Sequence, residues 1–226
     1  MTASIYIDNL SHWFIQAKQS QQILHQISIE VSAGEVAILS GPSGCGKTTL
    51  LTILAGLRPV QQGRVCIMGQ ELNHQSMKVI NRVRSTIGLI FQSHQLMTFL
   101  NARENVQLAM DVPSRRIQPN AKSQIALALL ERVGLKDYSE MMPSQLSGGQ
   151  RQRISIARAL ACDPKVILAD EPTASLDALN GRLIMELLHQ IARERQTAIL
   201  MTSHDQRLYH YADRIIKIED GHIMAD

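Results

Sequence analysis

Aromatic residues and cysteines are scarce in this sequence of 226 residues, and long apolar runs are missing. Aromatic residues make up 4% of the chain while hydrophobic residues make up 45%, so aliphatic side chains must fill the core. The three cysteines are an odd number and form no Cys-x-x-Cys pair, which argues against a disulfide framework or a zinc knuckle and fits a reducing compartment. No stretch of about eighteen apolar residues occurs, so no membrane-spanning helix is predicted.

Charge of one sign is not concentrated anywhere in the chain. The formal net charge is +3, and the opening residues lack the charged start and apolar block of a signal peptide. This balance is too mild to predict a nucleic-acid partner. We therefore expect a cytoplasmic chain whose role at a membrane, if it has one, comes through a partner.

The residues that are present alternate between strand-like and helix-like patterns, which predicts a parallel sheet covered by helices. Alternating apolar residues at 5–7 and 27–31 predict half-buried strands. The middle of the chain, from about residue 101 to 162, shows helical patterns only, including 121–133 with Gly134 as the expected C-cap. Further strands are predicted at 35–40, 64–68, 87–91, 165–169, 197–202 and 214–218, further helices at 48–57, 181–194 and 205–212, and a hairpin turn at Asp220-Gly221.

Residues 41–48 read Gly-Pro-Ser-Gly-Cys-Gly-Lys-Thr and match the pattern G-x-x-x-x-G-K-[ST] in full. They lie between an apolar strand and a predicted helix, the context in which this loop binds phosphate. Glycines leave room for backbone N–H groups around a phosphate, and a helix start favours negative charge. Lys47 can then reach the β- and γ-phosphates, and Thr48 can offer its hydroxyl to Mg²⁺. A glycine-rich turn with an incidental lysine is the weaker interpretation.

Two carboxylates end the apolar run at 166–169. Because the carboxyl ends of parallel strands face the ligand crevice, Asp170 is placed to hold Mg²⁺ through water and Glu171 to polarise an attacking water. A carboxylate pair after a strand can also be a simple helix cap. The phosphate loop upstream favours the functional interpretation.

Two further polar residues follow predicted strands of the same sheet. Gln92 comes after 87–91 and is a candidate ligand of Mg²⁺ and water, and His204 comes after 197–202 and is a candidate contact to the γ-phosphate. Phosphoryl transfer depends on positioning and charge neutralisation, so such groups are needed. Either residue alone is more simply a satisfied polar group at a strand end.

Residues 146–150 read Leu-Ser-Gly-Gly-Gln and precede a helical run at 151–161. Ser147 and Gln150 have the spacing of a capping box, so a well-capped helix is one interpretation. A second anion site is the other, because a helix start, two small glycines and a serine hydroxyl meet there.

The order of the motifs along the chain resembles that of ABC transporter ATPases: 41–48, Gln92, 146–150, Asp170-Glu171, 175–177 and His204. The resemblance covers essentially the whole chain, and Leu-Ser-Gly-Gly-Gln is highly specific for that family. The resemblance implies an α/β P-loop NTPase fold: a RecA-like parallel-sheet core, an antiparallel β subdomain and an inserted α-helical subdomain. It implies a single ATPase domain at 1–226, with a nucleotide-binding core at 1–92 and 163–226 and a helical signature subdomain at 93–162.

The resemblance also implies the site. It assigns catalysis to Lys47, Gln92, Glu171 and His204, and Mg²⁺ binding to Thr48, Gln92 and Asp170. ATP bound to one subunit is expected to be capped by the signature segment, residues 146–150, of the other subunit of a homodimer. Either Trp13 or Phe14 is expected to stack on adenine, and spacing favours Phe14. The implied ATP contacts are Phe14, Gly41, Pro42, Ser43, Gly44, Cys45, Gly46, Lys47, Thr48, Thr49, Gln92, Asp170, Ser147, Gly149, Gln150 and Asp177.

Some stretches resemble a narrower branch of the family. Residues 41–44, 90–96 and 169–177 are similar to LolD/MacB-type ATPases, and 56–63 and 204–208 are most similar to the DevA-type ATPases of DevBCA exporters. This implies an exporter with a MacB/LolC/DevC-like integral-membrane permease and a DevB-like periplasmic adaptor, and it leaves room for a TolC-like outer-membrane channel. The chain would then lie on the cytoplasmic face of the inner membrane.

Other functions fit the sequence less well. A DNA-repair ATPase of the same superfamily needs a long coiled coil inside the ATPase core, and the stretch from Gln92 to Leu146 is too short to hold one. A translation-type protein needs two cassettes in one chain, and this sequence contains one. Loss of hydrolysis is disfavoured because Lys47, Glu171 and His204 are intact. An FtsE-like subunit, which drives a membrane partner mechanically without moving a solute, would carry the same motor residues. The neighbouring membrane gene would discriminate between this role and transport.

Overall fold

The computed structural model describes residues 3–16, 19–111 and 117–224. None of the helices in these ranges is long and apolar enough to cross a membrane. The strands are β1 Ile5–Gln16, β2 Gln19–Val31, β3 Val36–Ser40, β4 Gln62–Ile67, β5 Gln70–Glu71, β6 Ile87–Ile90, β7 Val166–Asp170, β8 Ala198–Thr202, β9 Arg214–Glu219 and β10 His222–Ile223. The α-helices are α1 Lys47–Leu54, α2 Met77–Arg84, α3 Ala102–Leu108, α4 Pro119–Arg132, α5 Gly148–Leu160 and α6 Ala178–Arg195, and short 3₁₀ helices cover Lys136–Tyr138, Pro143–Gln145 and Gln206–Tyr211.

The central sheet has the strand order β10-β9-β3-β8-β7-β6. Strands β9, β3, β8, β7 and β6 run parallel, and β10 turns back antiparallel on β9. Alternate residues of β7 belong to two separate apolar clusters: Val166 and Leu168 to one, Ile167 and Ala169 to the other. This burial on both faces explains why the strand reads as a continuous apolar run, and it confirms the predicted parallel core.

The second sheet is antiparallel, with the order β2-β1-β4-β5. It packs its apolar face, which includes Ile5, Ile7, Ile27 and Ile29, onto the first cluster together with α1. The strands β1 and β2 are much longer than the runs 5–7 and 27–31 that predicted them. Irregular register in β1 around Asn9, whose φ is 50°, interrupts the alternation on which the prediction depended.

The segment from β6 to β7 contains helices and no strand in its described part. Helices α3, α4 and α5 pack on one another and cover the second face of the central sheet through the second apolar cluster. Helix α4 ends as predicted, since Gly134 follows it with φ 69°.

One prediction of secondary structure differs from the structure, and one helix was not predicted. The helix predicted at 205–212 is a 3₁₀ helix, Gln206–Tyr211. Its larger rise of about 2.0 Å per residue lets a short connection return along the sheet between two parallel strands. Sequence analysis missed helix α2, although Met77, Ile80 and Val83 recur at helical spacing and the latter two are buried.

Candidate functional site

The phosphate loop and the carboxyl ends of β6 and β7 enclose a cavity of about 350 Å³. Most of the residues that the sequence predicts for the site meet there, although they come from widely separated parts of the chain. Gly41, Pro42 and Cys45 belong to the same loop but do not line the cavity. The lining residues are Phe14, Ile23, Ser43, Gly44, Gly46, Lys47, Thr48, Thr49, Gln92, Asp170 and Glu171.

The phosphate loop takes its shape from glycines that no other residue can replace without strain. Gly46 precedes α1 with φ 102°, and a Cβ there would lie 2.7 Å from Leu24. Gly41 passes so close to β9 that a Cβ would lie 2.0 Å from the carbonyl oxygen of Ile218. Helix α1 has no side-chain cap, so the N–H groups of its first turn are left for a ligand.

Lys47 bends back over the phosphate loop. Its Nζ donates to the carbonyl oxygens of Gly41 and Pro42, both at 2.7 Å, and lies 3.7 Å from the Sγ of Cys45. Lys47 is 9% exposed, and these contacts hold its ammonium charge at the loop. Cys45 is buried, so its small side chain packs within the loop.

Asp170 is held by hydroxyl groups on both of its carboxylate oxygens. Thr48 Oγ1 donates to Oδ2 at 2.7 Å, and Thr202 Oγ1 donates to Oδ1 at 2.8 Å. Hydroxyl and carboxylate oxygens are ligands that suit Mg²⁺, which keeps its other positions for phosphate oxygens and water. The described residues contain no cluster of three or more His, Cys, Asp and Glu, so any cation here depends on such shared ligands.

Sequence reasoning missed Thr202. It pairs directly with Asp170 across the β7–β8 ladder and also accepts a hydrogen bond from the backbone N–H of Glu171 at 2.8 Å. The available signal was a hydroxyl at the carboxyl end of a neighbouring parallel strand.

Glu171 and His204 form a contact at the edge of the cavity. His204 Nδ1 lies 2.9 Å from Glu171 Oε1. Glu171 has φ 48°, a left-handed conformation that is uncommon for a residue other than glycine and that turns the chain directly after Asp170. The His204 side chain is 70% exposed while that of Glu171 is 19% exposed, so the carboxylate is enclosed and the imidazole faces outward.

The signature segment lies outside this cavity within one chain. Ser147 and Gln150 form the capping box that their spacing predicts: Gln150 N donates to Ser147 Oγ at 3.2 Å, and Ser147 N donates to Gln150 Oε1 at 2.8 Å. Gly149 packs on the loop before α6, where a Cβ would lie 3.2 Å from Leu176.

Asp177 also lies outside the cavity and begins α6 as its N-cap. Its Oδ1 accepts from Asn180 N at 2.9 Å, and this hydrogen bond lowers the pKa of the Asp177 carboxyl. Four of the predicted ATP contacts, Ser147, Gly149, Gln150 and Asp177, therefore do not reach the phosphate loop of their own chain.

Of the two candidate aromatic residues, Phe14 lines the cavity and Trp13 does not. The backbone of Trp13 is instead held by the side chain of Gln61. This placement agrees with the spacing argument for Phe14.

A phosphate loop that opens a helix, facing an Asp-Glu pair at the end of a parallel strand, defines a P-loop nucleotide-binding protein. Residues 24–174, more than half of the chain, match the family model described as ABC transporter. The chain belongs to the ABC transporter family and is an ATPase subunit of it.

Relatives and solved structures agree with this assignment. The chain is 40% identical over 220 residues, 97% of its own length and 99% of the other, to a protein named putative hemin import ATP-binding protein HrtA from Staphylococcus aureus strain bovine RF122 / ET3-1. It superposes on a dimeric post-hydrolysis state of the ATP-binding cassette MJ0796 bound to ADP and Pi, with TM-score 0.93, 32% identity and coverage of 98% and 97%. It also superposes on cbiO1 of Clostridium perfringens, part of the transporter complex cbiONQ, with TM-score 0.86, 26% identity and coverage of 100% and 88%.

Proposed function

We propose that this chain hydrolyses ATP as a homodimer and passes the resulting motion to an integral-membrane permease. The observation that carries the proposal is the enclosed Glu171 carboxylate, in contact with His204, at the edge of a cavity that also contains Lys47, Thr48 and Asp170. A base, a cation and a metal-binding pair at one phosphate loop are the parts that phosphoryl transfer to water requires.

Each residue of the cavity has a distinct role in this proposal. Lys47 exchanges its carbonyl contacts for phosphate oxygens and neutralises their charge. Glu171 orients and polarises the attacking water, and His204 holds the Glu171 carboxylate in place and contacts the γ-phosphate. Phe14 stacks on the adenine base at the opposite side of the cavity.

Thr48, Asp170 and Gln92 would hold Mg²⁺ in this proposal. The ion supplies charge neutralisation to the transferring phosphoryl group when it is bound. Thr48 and Asp170 are already in contact at 2.7 Å, so few side chains must move to bind it. Gln92 lines the same cavity from the end of β6 and can join through a water.

The dimer gives the signature segment its function. Ser147 and Gly149 cannot reach the phosphate loop of their own chain, yet they carry a hydroxyl and free backbone at a helix start. In a head-to-tail dimer they cap the ATP held by Lys47 of the other subunit, together with Gln150 and Asp177. The dimeric form of the similar MJ0796 cassette supports this arrangement.

The permease is expected to dock on the loop after Gln92. Three apolar side chains on or beside this loop are exposed: Met97 by 40%, Phe99 by 73% and Met141 by 38%. Backbone hydrogen bonding of Ala102 to Met141 brings the third residue beside the loop. The permease would be of the MacB/LolC/DevC type and would hold the chain on the cytoplasmic face of the inner membrane, with the helical segment 93–162 moving relative to the core.

The DevA-type exporter, its periplasmic adaptor and the TolC-like channel stay predictions that only the loop stretches 56–63 and 204–208 support. The names of the relatives from Staphylococcus aureus say hemin import, which does not support export. We therefore assign the chain neither a direction nor a cargo, because both depend on the membrane partner.

Replacing Glu171 by Gln tests the proposed reaction. We expect Glu171→Gln to bind ATP, to lose about 100-fold or more of its kcat, and to accumulate as a dimer with ATP and Mg²⁺ in size-exclusion chromatography. Glu131→Gln, which removes a surface carboxylate paired with Lys136, is the control and should behave as wild type. A monomeric elution of Glu171→Gln under these conditions, or an unchanged kcat, would contradict the proposal.

A further inference from the structure

The loop between α1 and β4 holds the backbone beside Phe14. Gln61 Oε1 accepts from the N–H of Trp13 at 2.7 Å, and Gln61 Nε2 donates to the carbonyl oxygen of Trp13 at 3.1 Å. A single side chain thus satisfies both backbone groups of the residue before Phe14. This pair of hydrogen bonds fixes the position of the backbone from which the Phe14 side chain extends.

The same loop also contacts the ring itself. The guanidinium of Arg58 lies over the Phe14 ring, with its Cζ 4.7 Å from the ring centroid. Arg58 does not line the nucleotide cavity, whereas Phe14 does. A guanidinium over an aromatic face is attractive and limits rotation of the ring.

A third contact comes from His12, two residues earlier on β1. Its ring meets Phe14 edge-on, with centroids 5.3 Å apart and planes at 86°. His12 is 2% exposed, and its Nδ1 has no hydrogen-bond partner among the described residues. Burial lowers the pKa of the His12 imidazole, and the nearby positive charge of Arg58 adds to this, so a neutral ring packs against Phe14.

Helix α1 connects this support to the phosphate loop. It begins at Lys47 and ends at Leu54, and the loop with Arg58 and Gln61 follows it directly. One short rigid helix therefore carries phosphate contacts at its first turn and the support of Phe14 just beyond its last turn.

We propose that Arg58 and Gln61 are positioning residues for the nucleotide base, which hold Phe14 as a preformed stacking platform. This inference rests on the proposed ATP site and adds to it the residues that support base binding. Preorganisation lowers the cost of binding because the ring is already ordered before the base arrives. Arg58 and Gln61 lie in the stretch 56–63, which resembles DevA-type ATPases, so this stretch would also support the nucleotide base.

The test compares ATP with inorganic tripolyphosphate, which has the phosphates but no base. We expect Arg58→Met to weaken ATP binding about two- to fivefold in isothermal titration calorimetry and to leave tripolyphosphate binding unchanged. Arg58→Lys, which keeps a cation, should lie between Arg58→Met and wild type. In a Phe14→Ala background, Arg58→Met should have no further effect. Gln61→Ala should weaken ATP in the same base-dependent way.

The control is Arg64→Met on β4, which removes the same charge from an exposed arginine paired with Glu71. It should leave both affinities at the wild-type value. Equal weakening of ATP and tripolyphosphate by Arg58→Met would overturn the inference, since Arg58 would then act through its charge alone. So would an unchanged or tighter affinity for ATP, the latter because the guanidinium would then occupy the place of the base.

The two proposals fail in different ways. Wild-type protein that binds neither ATP nor tripolyphosphate would overturn the proposed function and this inference with it. Wild-type protein that binds and hydrolyses ATP, with an Arg58→Met variant that is indistinguishable from it, would overturn only the role of Arg58.

Discussion

Two helix starts in this molecule share a glycine-rich sequence but differ in what surrounds them. At the phosphate loop, α1 has no side-chain cap, and Lys47, Thr48 and Asp170 converge in front of it. At the signature segment, α5 is closed by its own Ser147–Gln150 capping box and faces no cavity of its own chain. Within one chain, only the start of α1 has free N–H groups with other charges converging on it, so a phosphate at the start of α5 must come from a partner subunit.

The comparison suggests that one region is complete within a chain and the other becomes complete only in a pair of chains. Substitutions on the two sides should therefore have different effects, and the largest effect on turnover is expected at the signature segment.

Turnover should vanish when the signature segment carries a bulky charge. We expect Ser147→Arg to lose ATPase activity while each monomer still binds ATP, because its own phosphate loop is intact. An equimolar mixture with Lys47→Ala should regain about a quarter of wild-type activity, since half of the dimers are mixed and each has one intact site. Ser147→Ala, which loses the helix cap at a cost of about 0.5–2 kcal/mol without adding bulk or charge, separates the effect of bulk from loss of the cap. If the mixture stayed inactive, the sites would not be shared between subunits.

A smaller effect is expected at the hydroxyl that supports Asp170. Thr202→Val removes the hydrogen bonds to Asp170 and from Glu171 N, so we expect about a tenfold fall in kcat and a loss of about 1–3 kcal/mol of unfolding free energy. Thr202→Ser should restore both.

The matched control lies one residue before the same strand. Thr197 is buried and donates to the carbonyl oxygen of Pro164 at 3.1 Å, away from the cavity. Thr197→Val should lower stability and leave kcat unchanged. A fall in kcat as large as that of Thr202→Val would show that activity follows stability rather than the position of Asp170.

The smallest effect is expected before the signature segment, where Glu140 binds Arg103 Nε at 2.7 Å and Asn101 Nδ2 at 2.9 Å. Arg103 lowers the pKa of the Glu140 carboxyl in the folded state. The stabilisation is therefore present above the ordinary carboxyl pKa of about 4.3 and is lost as the pH falls through the lowered value. Because the Glu140 side chain is 66% exposed, Glu140→Gln should cost under about 1 kcal/mol at pH 7. Urea unfolding should show this difference shrinking as the pH falls below the ordinary carboxyl pKa of about 4.3, and a difference that grows there would contradict the assignment.

The sequence predicts the parallel core well and the antiparallel sheet poorly, for a physical reason. Strands β3, β7 and β8 are buried on both faces, so each reads as an uninterrupted apolar run. Strand β1 is interrupted by irregular register, and its last residues, up to Gln16, pair only with the beginning of β2, while the pairing with β4 stops at Ser11. Its full length could not be read from local alternation.

The residues of the site also differ in how well the sequence predicts them. The phosphate loop and the Asp170-Glu171 pair are contiguous in sequence, so their pattern identifies them. Thr202, Arg58 and Gln61 act through contacts that form only when separate strands and loops come together. No contiguous motif identifies these residues, because strand register brings Thr202 to the site and the loop after α1 brings Arg58 and Gln61 to it.

The strand order has a consequence for how the chain is made. Strand β3 is synthesised early, yet both of its neighbours, β8 and β9, come from the last thirty residues or so of the sequence. A nascent chain leaving the ribosome therefore exposes the unpaired backbone N–H and C=O groups along both edges of β3 until nearly all of the chain has emerged. Pairing over so long a loop is slow, and chaperones would have to shield those edges during translation.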